Sequence, residues 1–320
     1  MRCADDRQAS DARLRSCDPP TIPREMERSS MEMVNRSRFA GLWQPISLAF
    51  AVGLGPLAMP AIGQVTTVQE LVVPRRTEPI LLAHRGLTRH APENTLPAFA
   101  AAIALEMAIE LDVYQTRDGH LIVIHDPTVD RTTNGSGRVS DLTLAEIRKL
   151  DAGQWFHTRF AGLQVPTLDE VLQLIGQRQR RPVWIALNMK LLSPGIEEKI
   201  VRLVEKHKLL SQVFAFGQPP ESSRRFKRAN PKLKTTVVKI NESSHFARAL
   251  EDPLADCLWV GFIPSRHEID QAHHLGKHVW LSLQIGQKRP DLWDRARASR
   301  IDGICTDWPL ECRLHWRVTN

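Results

Sequence analysis

Short apolar runs alternate with amphipathic segments from about residue 78 to the end of the chain, and this alternation constrains the fold more than any other feature. It is typical of strand and helix units built around a parallel sheet. The candidate strands are Ile80–His84, Ile109–Val113, Leu121–His125, Val183–Met189, Gln212–Phe216, Thr235–Val238, Cys257–Gly261, His278–Leu283 and Gly303–Thr306. Helix-like segments lie between them, among them "ENTLPAFAAAIAL", "TLDEVLQLIGQR" and "PGIEEKIVRLVEKHK".

The second and third runs are joined only by "YQTRDGH". A parallel crossover needs about a dozen residues or more, so these two strands must pair antiparallel. If the third strand is the return of a hairpin, eight strands remain, which fits an α/β protein with a (β/α)₈ TIM barrel over residues 78–320. An open doubly wound sheet is the alternative fold, but no glycine fingerprint of the dinucleotide-binding type follows the first strand.

The hairpin also gives a prediction of register. If Asp118-Gly119 is a two-residue turn, the residue numbers of each pair sum to 237, which sets Asp112 directly opposite His125. A histidine would then lie beside an acidic strand without any long-range folding argument.

Residues 1–63 differ in character from the rest of the chain. Residues 1–35 are polar and lack periodicity, which predicts a disordered or untranslated lead. Residues 36–63 combine Arg36 and Arg38, an apolar run and small residues near Gly63, the order found in a secretory signal. We therefore expect an exported protein whose translation begins at Met31 or Met33. The alternative is an uncleaved membrane anchor formed by the apolar run 46–59.

Composition narrows the class of partner. A formal charge of +7 and a pI of about 9.4 favour anionic partners. However, the basic residues are scattered and aromatic residues make up only 6%, which argues against nucleic acid. Any association with a membrane is expected only through the N-terminal apolar segment. The cysteines have no zinc-finger spacing; Cys305 is predicted to be a buried, inert thiol, and one disulfide in the C-terminal region stays open.

Polar residues stand at the ends of the first two predicted strands. His84 and Arg85 follow the first, and Glu110 and Asp112 share one face of the second. Active sites of barrels lie at the carboxyl ends of the strands. Two buried carboxylates so close together are costly unless a cation lies between them, and Mg²⁺ or Ca²⁺ fits such oxygen ligands. The alternatives are a solvated pair after the first strand and an acidic face exposed at the rim.

A further strand, "WIALNMK", ends with Asn188 and Lys190 on one face. We expect both to join His84, Glu110, Asp112 and His125 around one barrel mouth. Lys190 would supply positive charge for an anionic substrate there.

Several segments taken together resemble the glycerophosphodiester phosphodiesterase family. They are "AHRG", "APENTLPAF", "IELDVYQTRDG", "LIVIHDPTVDRTTNGSG", "LDAG", "VPTLDEVL" and "DGICTDWP". The resemblance runs from about Ile80 to Pro309. It implies a barrel that hydrolyses diesters such as glycerophosphocholine to glycerol 3-phosphate and an alcohol.

The resemblance also assigns roles to residues. It implies that His84 and His125 are the catalytic pair and that Glu110 and Asp112 are metal ligands. It places Arg85 and Lys190 at phosphate-contacting positions and Glu93 as a support of the site. Asn94 is expected to cap the helix that follows it.

Asn188 departs from the family pattern, which has a metal-binding glutamate at this position. An amide oxygen can still bind Mg²⁺ or Ca²⁺, but one negative charge is lost, so weaker metal binding is expected. The segments "AFGQ" and "WLSL" also differ from the family, in the half of the barrel that shapes the substrate pocket.

Three functions follow from these patterns. The preferred one is metal-assisted cleavage of a phosphodiester, with His125 as base and His84 as acid. In the second, Asn188 marks a barrel that has lost catalysis and binds a phosphodiester or an extracellular partner. The third is a phospholipase that acts on intact lipids at a membrane surface.

Overall fold

The computed structural model describes residues 78–190, 193, 195–217, 219–236, 239–282 and 289–319. Within these residues one sheet contains nine strands. They are β1 (Ile80–Ala83), β2 (Ala108–Gln115), β3 (Leu121–Val123), β4 (Ile185–Met189), β5 (Val213–Phe216), β6 (Lys234–Thr235), β7 (Cys257–Val260), β8 (His278–Leu281) and β9 (Gly303–Thr306). The predicted lead and signal, residues 1–63, lie outside the described residues, as do the predicted strand ends Val238 and Leu283.

Eight of the strands are parallel and form a nearly closed barrel. β1 pairs with β2 and β9, and the neighbours then follow in chain order through β4, β5 and β6 on one side and through β8 and β7 on the other. Parallel bridges from Thr236 to Cys257 and from Ile240 to Val260 join the two edges of the sheet. The predicted (β/α)₈ barrel is confirmed, and the open doubly wound sheet is not the fold adopted.

β3 pairs antiparallel with β2, as predicted, but the predicted register is wrong by one residue. Val113 faces Val123, and the amide of Ile124 donates to the carbonyl oxygen of Asp112 at 3.1 Å. The loop holds three residues instead of two, with Gly119 at a φ of 80°. This is the type of turn in which a left-handed glycine follows a type I turn. Asp112 therefore lies opposite Ile124, and His125 comes just after the paired region.

The barrel is surrounded by helices α1 (Leu96–Ala104), α2 (Leu144–Ile147), α3 (Leu168–Arg178), α4 (Ile196–Lys206), α5 (Pro220–Ala229), α6 (Phe246–Glu251), α7 (Arg266–His274), α8 (Pro290–Ala298) and α9 (Pro309–Val318). Short 3₁₀ turns span Val139–Asp141, Thr158–Phe160 and Ser243–His245. The three helix-like segments quoted from the sequence correspond to α1, α3 and α4. At the start of α3, the Thr167 side chain and that of Glu170 cap each other's backbone amides. No helix in the described ranges is long and apolar enough to cross a bilayer.

Large aromatic side chains fill the interior of the barrel toward the amino ends of the strands. Trp280 is fully buried and stacks on Phe214 with ring centroids 5.1 Å apart. A Cβ at Gly303 would overlap the Trp280 ring, so this strand position admits the indole only because it is glycine. Space inside the barrel is therefore left at the carboxyl ends of the strands.

The cysteines in the described part of the chain are free and buried. They are Cys257, Cys305 and Cys312, so the C-terminal disulfide left open by the sequence does not form. Burial raises the pKa of the Cys305 thiol well above its ordinary value, which agrees with the prediction of an inert thiol.

Candidate active site

The carboxyl ends of the parallel strands surround a cavity of about 250 Å³. Every barrel strand, or the segment just after it, contributes to the wall. The lining residues are His84, Glu110, Asn188, Phe216, Gly217, Thr236, Lys239, Trp259, Ser282 and Cys305. Enzymes with this fold carry their active sites on this face. Three predicted site residues, His84, Glu110 and Asn188, therefore meet at one cavity.

His84 lies directly after β1 and is held by Asp307. The Nδ1 atom of the ring lies 2.6 Å from Oδ1 of Asp307, and Nε2 lies 3.9 Å from Oε2 of Glu110. Burial alone would lower the pKa of His84. The hydrogen bond with Asp307 and the negative charges of Glu110 and Asp307 outweigh burial, so this pKa is raised. The ring can therefore carry a proton at neutral pH more readily than an isolated histidine.

Arg85 and Gly86 turn the chain back over the end of β1. Both have a positive φ, and a Cβ at Gly86 would lie 2.7 Å from the Cβ of Ala98 in α1. Glycine is the residue that adopts this conformation at no steric cost. The turn directs the backbone N–H of Arg85 at Oε2 of Glu110, 3.1 Å away. The "HRG" segment thus fixes the backbone against the acidic pair.

The guanidinium of Arg85 lies between two acids. Its Nη1 donates to Oε1 of Glu93 at 3.0 Å, and its Nε lies 3.5 Å from Oδ2 of Asp112. Within the described residues this Nε has no hydrogen-bond partner, so its attraction to Asp112 is electrostatic. The predicted supporting residue Glu93 is therefore in direct contact with the predicted phosphate-binding arginine.

Glu110 and Asp112 are buried, with relative exposures of 1% and 0%. Burial, and then the charge of Asp112, raise the pKa of Glu110 to about 7, although His84 and Arg85 oppose the shift. No described residue donates a hydrogen bond to Oε1 of Glu110. Glu110 is therefore a buried acid whose charged form would be stabilised by a cation in the cavity.

Asp112 is surrounded by donors. Asn94 donates to its Oδ2 at 2.9 Å, Asn188 donates to its Oδ1 at 2.8 Å, and Nζ of Lys190 lies 3.1 Å from the same Oδ1. The predicted Lys190 thus joins the site by pairing with Asp112, and it is not among the residues that line the cavity.

The prediction that Asn94 caps α1 is wrong. The N-cap residue is Thr95, whose side chain makes no capping bond and donates instead to the carbonyl oxygen of Pro92 at 2.6 Å. Asn94 has a φ of 56°, and its amide is committed to Asp112. Asparagine tolerates this left-handed conformation better than most residues. Asn94 of the "PENT" segment therefore stabilises β2 and does not cap α1.

His125 lies outside the cavity wall, in a small pocket that it shares with Glu93 and Asn94. Its Nδ1 lies 2.7 Å from Oδ1 of Asp126. Arg131 then donates to Asp126 at 2.6 Å and to both carboxylate oxygens of Glu93 at 2.8 and 2.9 Å. The hydrogen bond from Arg131 is the main cause that holds the pKa of Asp126 at about 2. A continuous chain of ionic contacts thus joins His125 to Arg85.

Sequence reasoning missed several of these residues. Asp307 stands in the quoted "DGICTDWP" segment, directly after β9, and its position at a strand end was the signal that could have identified it. Asp126 and Arg131 lie in the quoted "HDPTVDR" stretch. Their contacts with His125 and Glu93 depend on how the loop after β3 folds, which no periodicity reports. Lys239 follows the short strand β6, and no sequence pattern marked it as a site residue.

The β1, β2 and β4 side of the mouth carries more acids than cations. Among the described residues, its ion-paired network contains three permanent cations, Arg85, Arg131 and Lys190. Its five carboxylates are Glu93, Glu110, Asp112, Asp126 and Asp307. A cation bound beside Glu110 would offset this excess of negative charge. The amide oxygen of Asn188, which no described residue hydrogen-bonds, borders the same cavity as Glu110.

The residues present therefore fit a hard divalent cation, although with one charge fewer than a site of three carboxylates. In the part of the chain that the structure describes, no three His, Cys, Asp or Glu side chains are arranged to hold a metal ion. With an amide at position 188, the proposed donor set contains two carboxylates, Glu110 and Asp112.

Comparison with known proteins identifies relatives of the whole barrel. Residues 84–311 match the model of the glycerophosphoryl diester phosphodiesterase family. A glycerophosphodiester phosphodiesterase of Caldanaerobacter subterraneus subsp. tengcongensis is 38% identical over 72% of this chain and 94% of its own length. One of Bacillus altitudinis is 36% identical with the same coverage. The crystal structure of a glycerophosphodiester phosphodiesterase from Agrobacterium tumefaciens matches with a TM-score of 0.61 and 27% identity, over 72% of this chain and 97% of that one.

Proposed function

Because this chain belongs to the glycerophosphoryl diester phosphodiesterase family, we propose that its barrel mouth hydrolyses glycerophosphodiesters to glycerol 3-phosphate and an alcohol. One observation carries the proposal. His84, held by Asp307, borders a cavity beside the buried acids Glu110 and Asp112. A proton carrier, excess negative charge for a cation and an open cavity thus coincide at the face where this fold carries active sites.

His84 is the general acid in this proposal. Its Nδ1–H donates to Asp307, which fixes the ring, and the raised pKa favours the protonated form. A proton delivered from Nε2 to the leaving alkoxide oxygen would make the alcohol a better leaving group. Asp307 acts as a positioning residue because it contacts the ring and not the substrate.

His125 is the general base, which takes the proton of the attacking oxygen. Asp126, kept ionised by Arg131, accepts the Nδ1–H of His125 and so leaves Nε2 with its lone pair. Arg131 also contacts Glu93, the partner of Arg85. The orientation of the base is thereby tied to the arginine proposed to bind phosphate.

Enzymes of this family generally depend on a divalent metal. For this chain we propose Mg²⁺ or Ca²⁺, with Glu110, Asp112 and Asn188 as the residues that would hold it. When bound, such a cation stabilises negative charge that develops on the phosphoryl oxygens. The missing charge at Asn188 predicts a weaker affinity for metal than three carboxylates would give.

Arg85 and Lys190 are proposed to bind the phosphate, with Glu93 as the support that orients Arg85. Both cations lie within 3.5 Å of Asp112, so the acid holds them in place before substrate arrives. A fixed positive group lowers the reorganisation needed when the phosphate's charge increases in the transition state.

We also retain export as a proposal, with residues 36–63 as a signal peptide or, alternatively, a membrane anchor. The order of basic, apolar and small residues supports it. N-terminal sequencing of the native protein tests it. A mature chain that begins near residue 64 supports a cleaved signal peptide, and one that retains residues 36–63 contradicts cleavage and leaves the membrane anchor.

The test of the acid and base is the release of glycerol 3-phosphate by the His84→Ala and His125→Ala variants. Each should lower kcat by about 10²–10⁴-fold, the usual contribution of a general acid or base. His120→Ala is the matched control, since that histidine lies at the hairpin loop with its side chain 50% exposed. Near-normal kcat in either site variant, with an unchanged melting temperature, would contradict the assigned roles.

A further inference from the structure

Lys239 lies on the wall of the cavity opposite His84. In the cyclic order of the barrel strands, β6 is four strands from β1 in either direction. Lys239 follows β6 and lines the same cavity as His84 and Glu110. Its Nζ donates to the carbonyl oxygen of Ser282 at 3.0 Å, which fixes the ammonium group beside the end of β8.

The charge of Lys239 is available to a ligand, whereas the charges of the other cations are already balanced. Arg85 contacts Glu93 and Asp112, and Lys190 contacts Asp112. Among the described residues, no carboxylate lies within ion-pair distance of Nζ of Lys239, whose hydrogen-bond partner is a neutral carbonyl. Of the described residues that line the cavity, it is the one with a permanent positive charge.

Lys239 is exposed, and its aliphatic chain lies beside closely packed residues. Phe216 and Trp259 stack with ring centroids 4.2 Å apart and form the adjacent wall. A Cβ at Gly261 would lie 3.1 Å from Cε of Lys239 and 2.6 Å from Oδ1 of Asn241. The lysine chain is therefore packed beside glycine, and its ammonium group stays at the edge of the cavity.

The cavity is small on the scale of electrostatic screening. A volume of about 250 Å³ has dimensions comparable with the Debye length of about 8 Å at physiological ionic strength. Any charge on a diester bound there is therefore felt by Lys239. A fixed cation on the alcohol moiety is repelled, and a hydroxyl group can accept a hydrogen bond from the ammonium group.

We propose that Lys239 is a specificity-determining residue that selects diesters whose alcohol is an uncharged polyol over diesters whose alcohol carries a quaternary ammonium group. The inference rests on the proposed phosphodiesterase function. It modifies the expectation from the sequence, where glycerophosphocholine served as the example substrate.

The test compares kcat/KM for glycerophosphoglycerol and glycerophosphocholine in the full chain with saturating Ca²⁺ or Mg²⁺. We expect the native protein to favour glycerophosphoglycerol by about tenfold, the size expected for one unpaired charge a few ångströms away in a partly hydrated site. Lys239→Gln should bring the ratio close to one, and Lys239→Glu should invert it. Lys232→Gln is the matched control, since it removes the same charge from an exposed lysine before β6, at the other end of the barrel.

The outcomes separate the two proposals. Turnover of both diesters with a ratio that Lys239→Gln and Lys239→Glu leave unchanged overturns the selective role of Lys239 while the phosphodiesterase function stands. If neither diester is hydrolysed, the proposed function fails, and calorimetric binding of both diesters to the native protein and the two variants then decides. A ratio of Kd values that follows the charge at position 239 supports the selective role, and a constant ratio rejects it.

Discussion

β9 has an aspartate at each end, and each aspartate is paired with histidine. Asp302 precedes the strand and lies 2.9 Å from Nε2 of His273 and 3.5 Å from Nδ1 of His278. Asp307 follows the strand and lies 2.6 Å from Nδ1 of His84. Burial would raise the pKa of both aspartates, but their histidine partners lower it below the ordinary value. The two pairs are thus nearly the same in chemistry.

Their surroundings differ. Asp302 also accepts the backbone N–H of Val279 at 2.7 Å, so it ties the start of β8 to the start of β9. Asp307 orients a histidine that borders a cavity and a buried glutamate. The position of a histidine-aspartate pair in the barrel therefore decides its role. At the carboxyl end of the strands the pair is a candidate catalytic group. At the amino end the same pair stabilises the barrel.

The largest effect is expected at the carboxyl end, from Asp112→Ala. Lys190 would lose its acidic partner and Arg85 would keep only Glu93, and breaking such a buried pair costs about 3–5 kcal/mol of the free energy of unfolding. Denaturant unfolding measures this loss, and release of glycerol 3-phosphate should become undetectable. Asp270→Ala, at an exposed ion pair with Arg266, is the control and should change the stability by less than about 0.5 kcal/mol. Equal losses of unfolding free energy in the two variants would show that Asp112 contributes no more to stability than an exposed ion pair does.

Arg131→Gln should separate catalysis from stability at the same end. The residue is 45% exposed, so we expect a stability change of about 1 kcal/mol or less. Loss of the bidentate link between Asp126 and Glu93 should lower kcat by about 10–100-fold, as for other supporting contacts of a site. Arg131→Lys keeps the charge but lacks the paired donors of the guanidinium. Its kcat should therefore lie between that of the native chain and that of Arg131→Gln. An unchanged kcat, with KM alone altered, would show that Arg131 does not position His125.

The smallest effect is expected at the amino end, where Asp302→Asn should reduce stability and leave kcat unchanged. The hydrogen bonds lost are worth about 1–2 kcal/mol at pH 7. Because the folded-state pKa of Asp302 is depressed, its stabilisation is present above its unfolded pKa of about 4 and is lost as pH falls toward the folded value. Thermal melts should therefore differ most at neutral pH and converge in acid. A difference that grows below pH 4 would contradict this assignment.

Sequence patterns predicted the barrel and most of the polar residues at its mouth. Strand ends are readable because an apolar run stops at a polar residue, as at His84 and at Asn188. The register of the hairpin was wrong because Arg117 joins Asp118 and Gly119 in the turn, and one extra loop residue shifts every pair.

Contacts between distant segments were beyond such reasoning. Asn94 has the residue type of a helix cap, yet its backbone conformation commits its amide to Asp112. The distance between Arg131 and Glu93 depends on the folded loop after β3, and Lys239 is placed by packing around Gly261. Local patterns carry no information on these separations.

The most direct test of the proposed phosphodiesterase function is the release of glycerol 3-phosphate from glycerophosphoglycerol as the concentration of Mg²⁺ or Ca²⁺ is raised. The native chain and Asn188→Glu are compared in the same assay. We predict saturable, metal-dependent release by the native chain that EDTA abolishes, and an apparent metal affinity about 10–100-fold higher in the variant, the scale of changes at metal-site residues. No release of glycerol 3-phosphate by the native chain at any metal concentration, with turnover only in Asn188→Glu, would contradict the proposed phosphodiesterase function. It would indicate a barrel that binds phosphodiesters without cleaving them.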